Sequence, residues 1–497
     1  MTINNQHHRI ILQNIARRVM LDRGLLPDFS TEALNELQGI TAHQMKDVSP
    51  FDRRPLILDL RHLIWTSIDN DDSLDLDQLT YAEELSSGKV KIFVAIADVD
   101  SSVKNGSAID QHARTNTTSV YTPAQIFPML PEKISTDITS LNLNEDRLSV
   151  VVEILINQDG ELEDSNIYRA WVRNHAKLAY NSVAEWLEKS KPIPDSVVNI
   201  PGLAENLRLQ DQTAQRMKKL RHLQGALDLD TIEAKPVFEG DQIRELVTEE
   251  KNRAREIVED FMIAVNGVTA RFLSTKKFPS IRRVVRMPKR WERIVLIAKD
   301  HNFKLPESPD SKALDEFLIT QKAKDPLRFP DLSLAVIKLL GPGEYIAESP
   351  DGDFQGHFGL AVKDYGHSTA PNRRYPDLLT QRLIKAALED KPTPYSKNEL
   401  DALAAHCTKA EDAANKVERQ VEKSAAALLL ESRIGEKFDS IVTGASQKGT
   451  WVRLLTVPIE GMLVNGFENV DVGDRIRVQL SSVDVEKGFI DFQKIGN

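Results

Sequence analysis

Apolar residues recur at helical spacing near the N-terminus, which predicts a helix over residues 9–24. A second short helix is predicted from Ser30 to Leu37, after the break at Pro27. Residues 1–54 are too few to enclose a core of their own. We therefore expect a short helical N-terminal arm that packs on the main body, with a DNA-binding helix-turn-helix as the weaker alternative.

From Pro55 to about Ile156 the pattern changes to short β-rich runs. The segments LILDLRHLIW, VKIFVAIADV and LSVVVEILI each predict a strand. The second run is almost continuously apolar, which is typical of a strand buried on both faces. Helical patterns then dominate and end in one long helix over residues 396–431, which we interpret as a packing helix without chemistry.

Residues 433–497 change character again, into five short strands separated by glycine and aspartate turns. This spacing is typical of a small barrel. The pattern therefore predicts an α+β fold in three parts. These are the arm over residues 1–54, a large mixed body over residues 55–432 that is closed by the long helix, and a C-terminal β-barrel over residues 433–497.

Composition narrows the class of protein without naming a function. Of the 497 residues, 41% are hydrophobic and one is a cysteine, so neither a disulfide framework nor a four-cysteine zinc site can form within the chain. The net charge of −10 excludes a global positive field, so a polyanion would need a local site. The apolar stretches are too short for a membrane span and the N-terminus lacks a secretory pattern, so we expect a cytoplasmic protein.

Residues 67–78 read SIDNDDSLDLDQ and place five aspartates within nine positions. Carboxylates this close repel one another unless cations neutralise them, and hard oxygen ligands favour magnesium or manganese. In an extended segment Asp75 and Asp77 would share one face. The alternatives are a solvated acidic loop or a calcium loop, although the glycine and the terminal glutamate of an EF-hand are missing. Asp98 follows the apolar run VKIFVAIA, and its carboxylate could either cap the turn or support the metal ligands. We favour the turn cap.

Two arginines stand together in residues 356–378, GHFGLAVKDYGHSTAPNRRYPDL, beside prolines and a tyrosine. A guanidinium is always charged and grips phosphate oxygens in a fixed geometry, but such arginines pair more often with structural carboxylates. A second basic stretch, residues 282–293 with Trp291 among them, either lines an RNA path or forms a solvated face.

Taken together, the motifs resemble the RNB catalytic domain of the ribonuclease II family of exoribonucleases. The family's TIDxxxxxDhDDA and IADV are similar to SIDNDDSLDLDQL and VAIADV here, and its helix ending IEEFMxxAN is similar to RAREIVEDFMIAVN. Likewise, TSVYTPAQIFPMLPEKISTDITSLN resembles RGxSVYLPxxxIPMLPExLSxxLCSLxP, and HFGLAVKDYGHSTAPNRRYPDL resembles HFGLGLxxYxHFTSPIRRYxDL. The matches keep their order over residues 55–390, and the C-terminal strands resemble the OB-type barrel that ends many members.

This resemblance implies roles for the acidic cluster and the arginine segment. Asp69, Asp75 and Asp77 match the first three family aspartates, which implies catalytic residues that hold Mg²⁺, with Mn²⁺ as a substitute. Gln78 stands where the family has its fourth aspartate, and its amide oxygen can ligate a metal but brings no charge. Arg373 matches the arginine that the family uses at the scissile phosphate.

The resemblance also implies a narrow RNA channel in the body and RNA contacts along it. Tyr121 matches the aromatic residue that stacks on bases near the 3′ end, and further RNA contacts are expected at Arg374 and Tyr375. In the C-terminal barrel, Trp451 matches the position of an exposed aromatic platform for RNA, with core packing as the alternative. Because only about fifty residues precede the matching region, we expect a short form without the N-terminal cold-shock barrels that are usual in the family.

The implied activity is that of a monomeric 3′→5′ exoribonuclease that acts on single-stranded RNA away from any membrane. Metal-assisted phosphodiester hydrolysis would release nucleoside 5′-monophosphates. The alternative is a catalytically weak or inactive RNB-fold scaffold that binds RNA, and Gln78 is the departure that favours it. A DNA nuclease would differ only in whether the channel recognises 2′-hydroxyl groups.

Overall fold

The computed structural model describes residues 7–41, 57–249, 251–350, 352, 356–446 and 449–496. Within these residues the helices are α1 (His8–Asp22), α2 (Thr31–Gln38), α3 (Ala108–Asn116), α4 (Tyr180–Leu187), α5 (Asp195–Val198), α6 (Leu203–Leu223), α7 (Arg253–Thr275), α8 (Trp291–Asp300), α9 (Ser311–Lys324), α10 (Phe329–Leu340), α11 (Tyr375–Leu388) and α12 (Lys397–Leu430). The strands are β1 (Leu58–Asp59), β2 (Trp65–Asp69), β3 (Gln78–Glu84), β4 (Val90–Ala97), β5 (Val120–Tyr121), β6 (Ile126–Phe127), β7 (Asp146–Ile156), β8 (Leu162–Ala179), β9 (Glu233–Glu239), β10 (Gln242–Glu249), β11 (Ser280–Val284), β12 (Glu344–Glu348), β13 (Lys437–Ser446), β14 (Gly449–Leu454), β15 (Glu460–Asn465), β16 (Arg475–Asp484) and β17 (Phe489–Lys494). The mixed α+β fold predicted from the sequence is confirmed.

A closed circuit of strand pairings forms the centre of the body. Strands β2, β3, β4 and β7 pair in that order, and the long strand β8 completes the circuit. The first part of β8 pairs with β7, and its last part, from Asn174 onward, pairs with β2. Strand β4 is buried along almost its whole length, as its continuous apolar run predicts, because it has paired neighbours on both edges and packed side chains on both faces.

Helix α12 connects the parts of the molecule. Its first turns belong to the main core together with α7 and α11, and its middle packs on α1. Its last residues, Ala426, Ala427 and Leu430, belong to the core of the C-terminal barrel. One 34-residue helix therefore contributes to the main core, packs on the N-terminal arm and joins the core of the barrel.

The N-terminal arm has the two helices that its pattern predicts. Leu12, Ile15 and Val19 of α1 are buried in one cluster with Val120 and Phe127 of the β5–β6 hairpin. The arm therefore packs on the body, since it buries its apolar face there. The predicted boundary at residues 54 and 55 lies outside the described residues.

Strands β13, β14, β15, β17 and β16 pair in this order into a closed barrel, which confirms the five strands predicted near the C-terminus. Closure leaves no strand edge to pair with another chain. Among the described residues, we find no helix with the length and apolar character that crossing a membrane requires.

Candidate active site

The acidic segment lies between two strands of the closed sheet. Strand β2 ends at Asp69, a turn follows, and the chain then runs extended to Asp77, immediately before β3. The Asp69 carboxylate accepts hydrogen bonds from the Asn70 N–H at 2.7 Å and from the Ser73 hydroxyl at 2.8 Å, which closes the turn. Because β2 and β3 are antiparallel neighbours, Asp69 and Asp77 emerge at the same edge of the sheet.

Asp77 is 1% exposed and contacts the arginine segment. One carboxylate oxygen accepts the Asn372 N–H at 2.9 Å, and the other accepts Nε–H of Arg373 at 3.0 Å. Burial raises the pKa of Asp77 to about 7, an effect that the Arg373 guanidinium opposes. Both oxygens are therefore used within the protein, and Asp77 orients Arg373.

The Arg373 side chain remains 41% exposed beyond this ion pair. Its two terminal nitrogens have no hydrogen-bond partner among the residues that the structure describes. Burial disfavours its charge, yet Asp77, Tyr121 and Asp75 together raise the pKa of Arg373 above the ordinary arginine value. A guanidinium held at Nε with free terminal nitrogens is arranged to bind a phosphate group.

Tyr121 lies beside the acidic segment at the end of β5. Its hydroxyl donates to Oδ2 of Asp75 at 3.0 Å, and its side chain is 39% exposed. Its main-chain N–H donates to the Glu418 carboxylate of α12 at 2.7 Å. Burial, followed by the Asp75 charge, raises the pKa of Tyr121, so the phenol stays protonated and keeps donating. The ring is thus fixed in place and still accessible to a base.

The arginine segment pairs with the chain that leads to Tyr121. The Ser119 N–H donates to the Arg373 carbonyl at 3.0 Å, and the Tyr375 N–H donates to the Thr117 carbonyl at 2.8 Å. Thr117 adopts a φ of 59°, a left-handed conformation that is rare for a β-branched residue. The chain turns at this strained residue from α3 into the pairing, so the turn places Tyr121 and Arg373 in one site.

Two of the predicted RNA contacts are used inside the protein instead. The Tyr375 side chain is 1% exposed and belongs to the main core, so the prediction that it contacts RNA is wrong. The Arg374 guanidinium donates to Asp377 at 2.7 Å and to the Thr369 hydroxyl at 3.3 Å. Arg374 therefore stabilises the start of α11, and Arg373, with 41% of its side chain exposed against 23% for Arg374, is the more accessible of the two arginines.

The predicted set of metal ligands is only partly assembled. Among the described residues, no group of three or more His, Cys, Asp or Glu side chains is placed to hold a metal ion. Asp77 is occupied by Arg373, and Gln78, 6% exposed at the start of β3, is the next residue of an extended chain and so points to the opposite face. The assignment of Asp69, Asp75, Asp77 and Gln78 as metal ligands stays a prediction.

Asp69 and Asp75 still fit a divalent cation. In each carboxylate one oxygen accepts the hydrogen bonds described above, and the other has no partner among the described residues. The Asp69 charge contributes to a raised pKa of Asp75, after burial as the larger cause, so the two carboxylates interact. Magnesium commonly binds through one or two carboxylates, keeps several waters and takes further ligands from substrate phosphates.

Asp98 is a structural carboxylate, as predicted. Its side chain accepts the Ser101 N–H at 3.1 Å and so caps the turn after β4. It also forms ion pairs with Arg169 at 2.7 Å and Lys385 at 2.8 Å. Although burial opposes its charge, these two cations lower the pKa of Asp98 to about 2.

Three arginines of the basic stretch over residues 282–293 pair with carboxylates of β12 and α12. The ion pairs are Arg282 with Glu348, Arg283 with Glu411, and Arg286 with Glu344. Trp291 is 4% exposed and packs in a separate core of helices α8 to α10. Arg282 and Arg283 are therefore structural, so neither an RNA path nor a solvated face describes them.

Trp451 lies on the outer face of β14, between the buried Thr450 and Val452. Met462 of the neighbouring strand β15 is its register partner and is 37% exposed. An aromatic ring with an apolar neighbour on an open sheet face is suited to stacking against a base. This surface belongs to the barrel, whereas Asp75 and Asp77 lie in the body, in the extended segment before β3.

Two family profiles cover most of the chain. The RNB domain matches residues 57–390, and the RNase II-type exonuclease C-terminal S1 domain matches residues 436–495. The chain belongs to the RNB family. The predicted resemblance to ribonuclease II-type exoribonucleases is thereby confirmed.

Curated RNB relatives are similar along most of this chain. Ribonuclease R of Escherichia coli is 29% identical over 489 residues, which cover 91% of this chain and 59% of the relative. Ribonuclease R of Thermotoga maritima is 31% identical over 462 residues, which cover 88% of this chain and 61% of the relative. The chain spans less than two thirds of the length of these relatives.

Solved structures show the same RNB fold. The apo form of Mycoplasma genitalium RNase R matches with a TM-score of 0.85 at 23% identity, covering 98% of this chain and 78% of that one. The same enzyme in complex with ribose methylated single-stranded RNA matches with a TM-score of 0.84, also at 23% identity and with the same coverage. Yeast Ssd1, a pseudonuclease, matches with a TM-score of 0.72 at 15% identity, covering 91% and 55%. At these identities the likeness establishes the fold.

Two residues that contact this RNB site are not among the site residues predicted from the sequence. Glu418 accepts the Tyr121 N–H, although the pattern of α12 predicts a packing helix without chemistry. Ser140 bonds to the main chain on both sides of Asp75. A glutamate in a charged helix has no distinguishing periodicity, so only its contact identifies Glu418. Ser140 matches the serine of the family's LCSLxP motif, and that match was the signal that could have found it.

Proposed function

We propose that this chain is a 3′→5′ exoribonuclease that hydrolyses single-stranded RNA to nucleoside 5′-monophosphates. The observation that carries the proposal is the gathering of Tyr121, Asp75, Asp77 and Arg373 in one site of an RNB domain. The relatives named Ribonuclease R support the same activity.

Each side chain has a physical role in this proposal. The free nitrogens of Arg373 bind the phosphate at the bond to be cut and stabilise its developing charge, a contribution of about 3–4 kcal/mol for a well-placed donor. Asp77 keeps that guanidinium in one orientation, because their contact fixes Nε. Tyr121 stacks on a base near the 3′ end, a contact worth roughly 1–3 kcal/mol.

Asp69 and Asp75 are the residues that would hold magnesium, or manganese in its place. A bound divalent cation supplies a water of lowered pKa and neutralises charge on the phosphate. Tyr121 supports this role because its hydroxyl occupies one oxygen of Asp75 and leaves the other available. The barrel would add a second contact for RNA through Trp451. We further propose a monomer that acts in the cytoplasm.

A second candidate function is an RNA-binding scaffold without activity. Two observations favour it. Among the described residues, no three Asp, Glu, His or Cys side chains come together at one point, and Gln78 brings no charge. Yeast Ssd1, whose fold is similar to that of this chain, is a pseudonuclease. We place this candidate second because Arg373 keeps free terminal nitrogens beside three aspartates.

The experiment that separates the two uses a 5′-labelled single-stranded RNA, with and without magnesium, on a denaturing gel. The exoribonuclease produces a magnesium-dependent ladder that shortens from the 3′ end to a small limit product. The scaffold leaves the RNA at full length and shifts it on a native gel. A matched single-stranded DNA tests whether 2′-hydroxyl groups are required.

A further inference from the structure

A single buried hydroxyl connects the main chain on both sides of Asp75. Ser140 is 0% exposed, and its Oγ–H has two acceptors within reach, the Leu74 carbonyl at 2.7 Å and, at a longer 3.0 Å, Oδ1 of Asn142. The same oxygen accepts the Leu76 N–H at 3.0 Å. The residue between these two contacts is Asp75, so its backbone is held from either side by one side chain.

The hydroxyl takes the place of a strand partner. Residues 73–77 belong to no strand, although β3 begins directly after them. One main-chain bond, from the Leu141 N–H to the Leu76 carbonyl at 3.0 Å, joins this segment to residues 139–142. Buried main-chain groups need partners, and where the ladder is missing Ser140 provides one for the buried Leu76 N–H and also contacts the part-buried Leu74 carbonyl.

Ser140 is itself held firmly. Its carbonyl accepts Nε–H of Arg147 at 3.0 Å, and the next carbonyl, that of Leu141, accepts the Asn174 amide at 2.9 Å. Its other neighbour, Thr139, donates its hydroxyl to Oδ1 of Asn372 at 2.6 Å, directly before Arg373 in the chain. Adjacent residues therefore contact the acidic segment and the arginine segment.

We propose that Ser140 is a positioning residue that sets the direction in which Asp75 presents its carboxylate to a divalent cation. The backbone contacts fix where the side chain begins, and the Tyr121 hydroxyl fixes one of its oxygens. The remaining oxygen then faces one direction. This inference rests on the proposed function only for its consequence in RNA cleavage, and metal binding tests it independently.

The test measures Mn²⁺ binding to the full chain by electron paramagnetic resonance, with Asp75→Asn to identify the site. Ser140→Ala is expected to weaken Asp75-dependent binding by about 10- to 100-fold, the usual cost of removing a group that orients a metal ligand. In the cleavage assay the metal concentration for half-maximal rate rises by a similar factor, and the KM for RNA stays unchanged.

Ser149→Ala is the matched control. Ser149 is also 0% exposed, and its hydroxyl donates to the Ala170 carbonyl at 3.2 Å within the sheet. This variant loses a buried hydroxyl without touching the acidic segment, so it lowers the melting temperature and leaves Mn²⁺ binding unchanged. Ser140→Thr, which retains the hydroxyl, restores binding. If Ser140→Ala does not fold, Ser140→Cys, with its weaker donor, gives the same comparison.

Three results would overturn the inference: wild-type Mn²⁺ affinity in the folded Ser140 variant, an equal loss of affinity in Ser149→Ala, or no Asp75-dependent Mn²⁺ binding in the wild-type chain. Failure of the proposed function has a different signature. In that case the wild-type chain binds Mn²⁺ and Ser140→Ala weakens the binding, but RNA stays at full length.

Discussion

The Asp77 carboxylate and the Arg373 guanidinium meet at 3.0 Å although 296 positions separate them in the chain. The contact joins the segment before β3 to the segment before α11, so it can form only when the body is folded. The contact also gives the aspartates of the site different roles. Asp77 serves Arg373, while Asp69 and Asp75 keep free oxygens for a cation.

Replacement of Arg373 tests the phosphate contact. Arg373→Ala is expected to lower the rate of RNA shortening by at least about a hundredfold, because one preorganised donor is commonly worth that much. Arg373→Lys restores little, since an ammonium cannot donate to Asp77 and to a phosphate in the same planar geometry. Single-turnover cleavage measures the rate, and a native gel shows that RNA binding is retained. A wild-type cleavage rate in Arg373→Ala would show that Arg373 does not take part in the reaction.

Asp77→Asn tests whether orientation of the arginine matters by itself. The amide has almost the same shape but no charge, so the Arg373 guanidinium loses its ionic partner and its fixed direction. We expect turnover to be abolished while RNA binding is largely kept. A melting curve checks that the variant folds, because Asp77 is 1% exposed. An unchanged cleavage rate in the folded variant would contradict the role of the pair.

Two substitutions of Tyr121 separate its ring from its hydroxyl. Tyr121→Phe keeps the stacking surface and loses the bond to Asp75, so the KM for RNA should stay constant while the metal dependence of the rate shifts. Tyr121→Ala loses the ring and should raise the KM roughly 10- to 100-fold. Steady-state kinetics on one short RNA measures both. Equal KM values for Tyr121→Ala and the wild-type chain would show that the ring does not contact RNA.

Glu418 predicts a specific dependence of stability on pH. Burial, opposed by the Tyr121 N–H, raises the pKa of Glu418 from 4.5 to about 7. Between these values the folded chain binds more protons than the unfolded chain, so the free energy of unfolding falls as pH rises through this window.

Glu418→Gln removes this titration, and its amide oxygen can still accept the Tyr121 N–H. Between pH 4.5 and pH 7 the free energy of unfolding should therefore fall by about 2–3 kcal/mol less in the variant than in the wild-type chain. Urea unfolding at several pH values measures the difference. Parallel curves for the two proteins would show that Glu418 does not titrate in this range.

Periodicity alone predicted the α+β class, the helical arm, the buried strand β4 and the five strands of the barrel. These features follow from the spacing of apolar residues, because a strand or helix must turn its apolar face toward a core. The order of the RNB motifs identified Asp75, Asp77, Arg373 and Tyr121, and the structure brings these residues together.

Contacts between distant segments decided the rest. The sequence places Arg373, Arg374 and Tyr375 side by side, but packing leaves the first partly exposed, pairs the second with Asp377 and buries the third. The same holds for Asp77. Its position in the sequence groups it with the predicted metal ligands, but in the folded structure its carboxylate pairs with Arg373. The local sequence pattern indicates which face of a segment is apolar. The partner of a charged group, in contrast, depends on which distant segments the fold brings beside it.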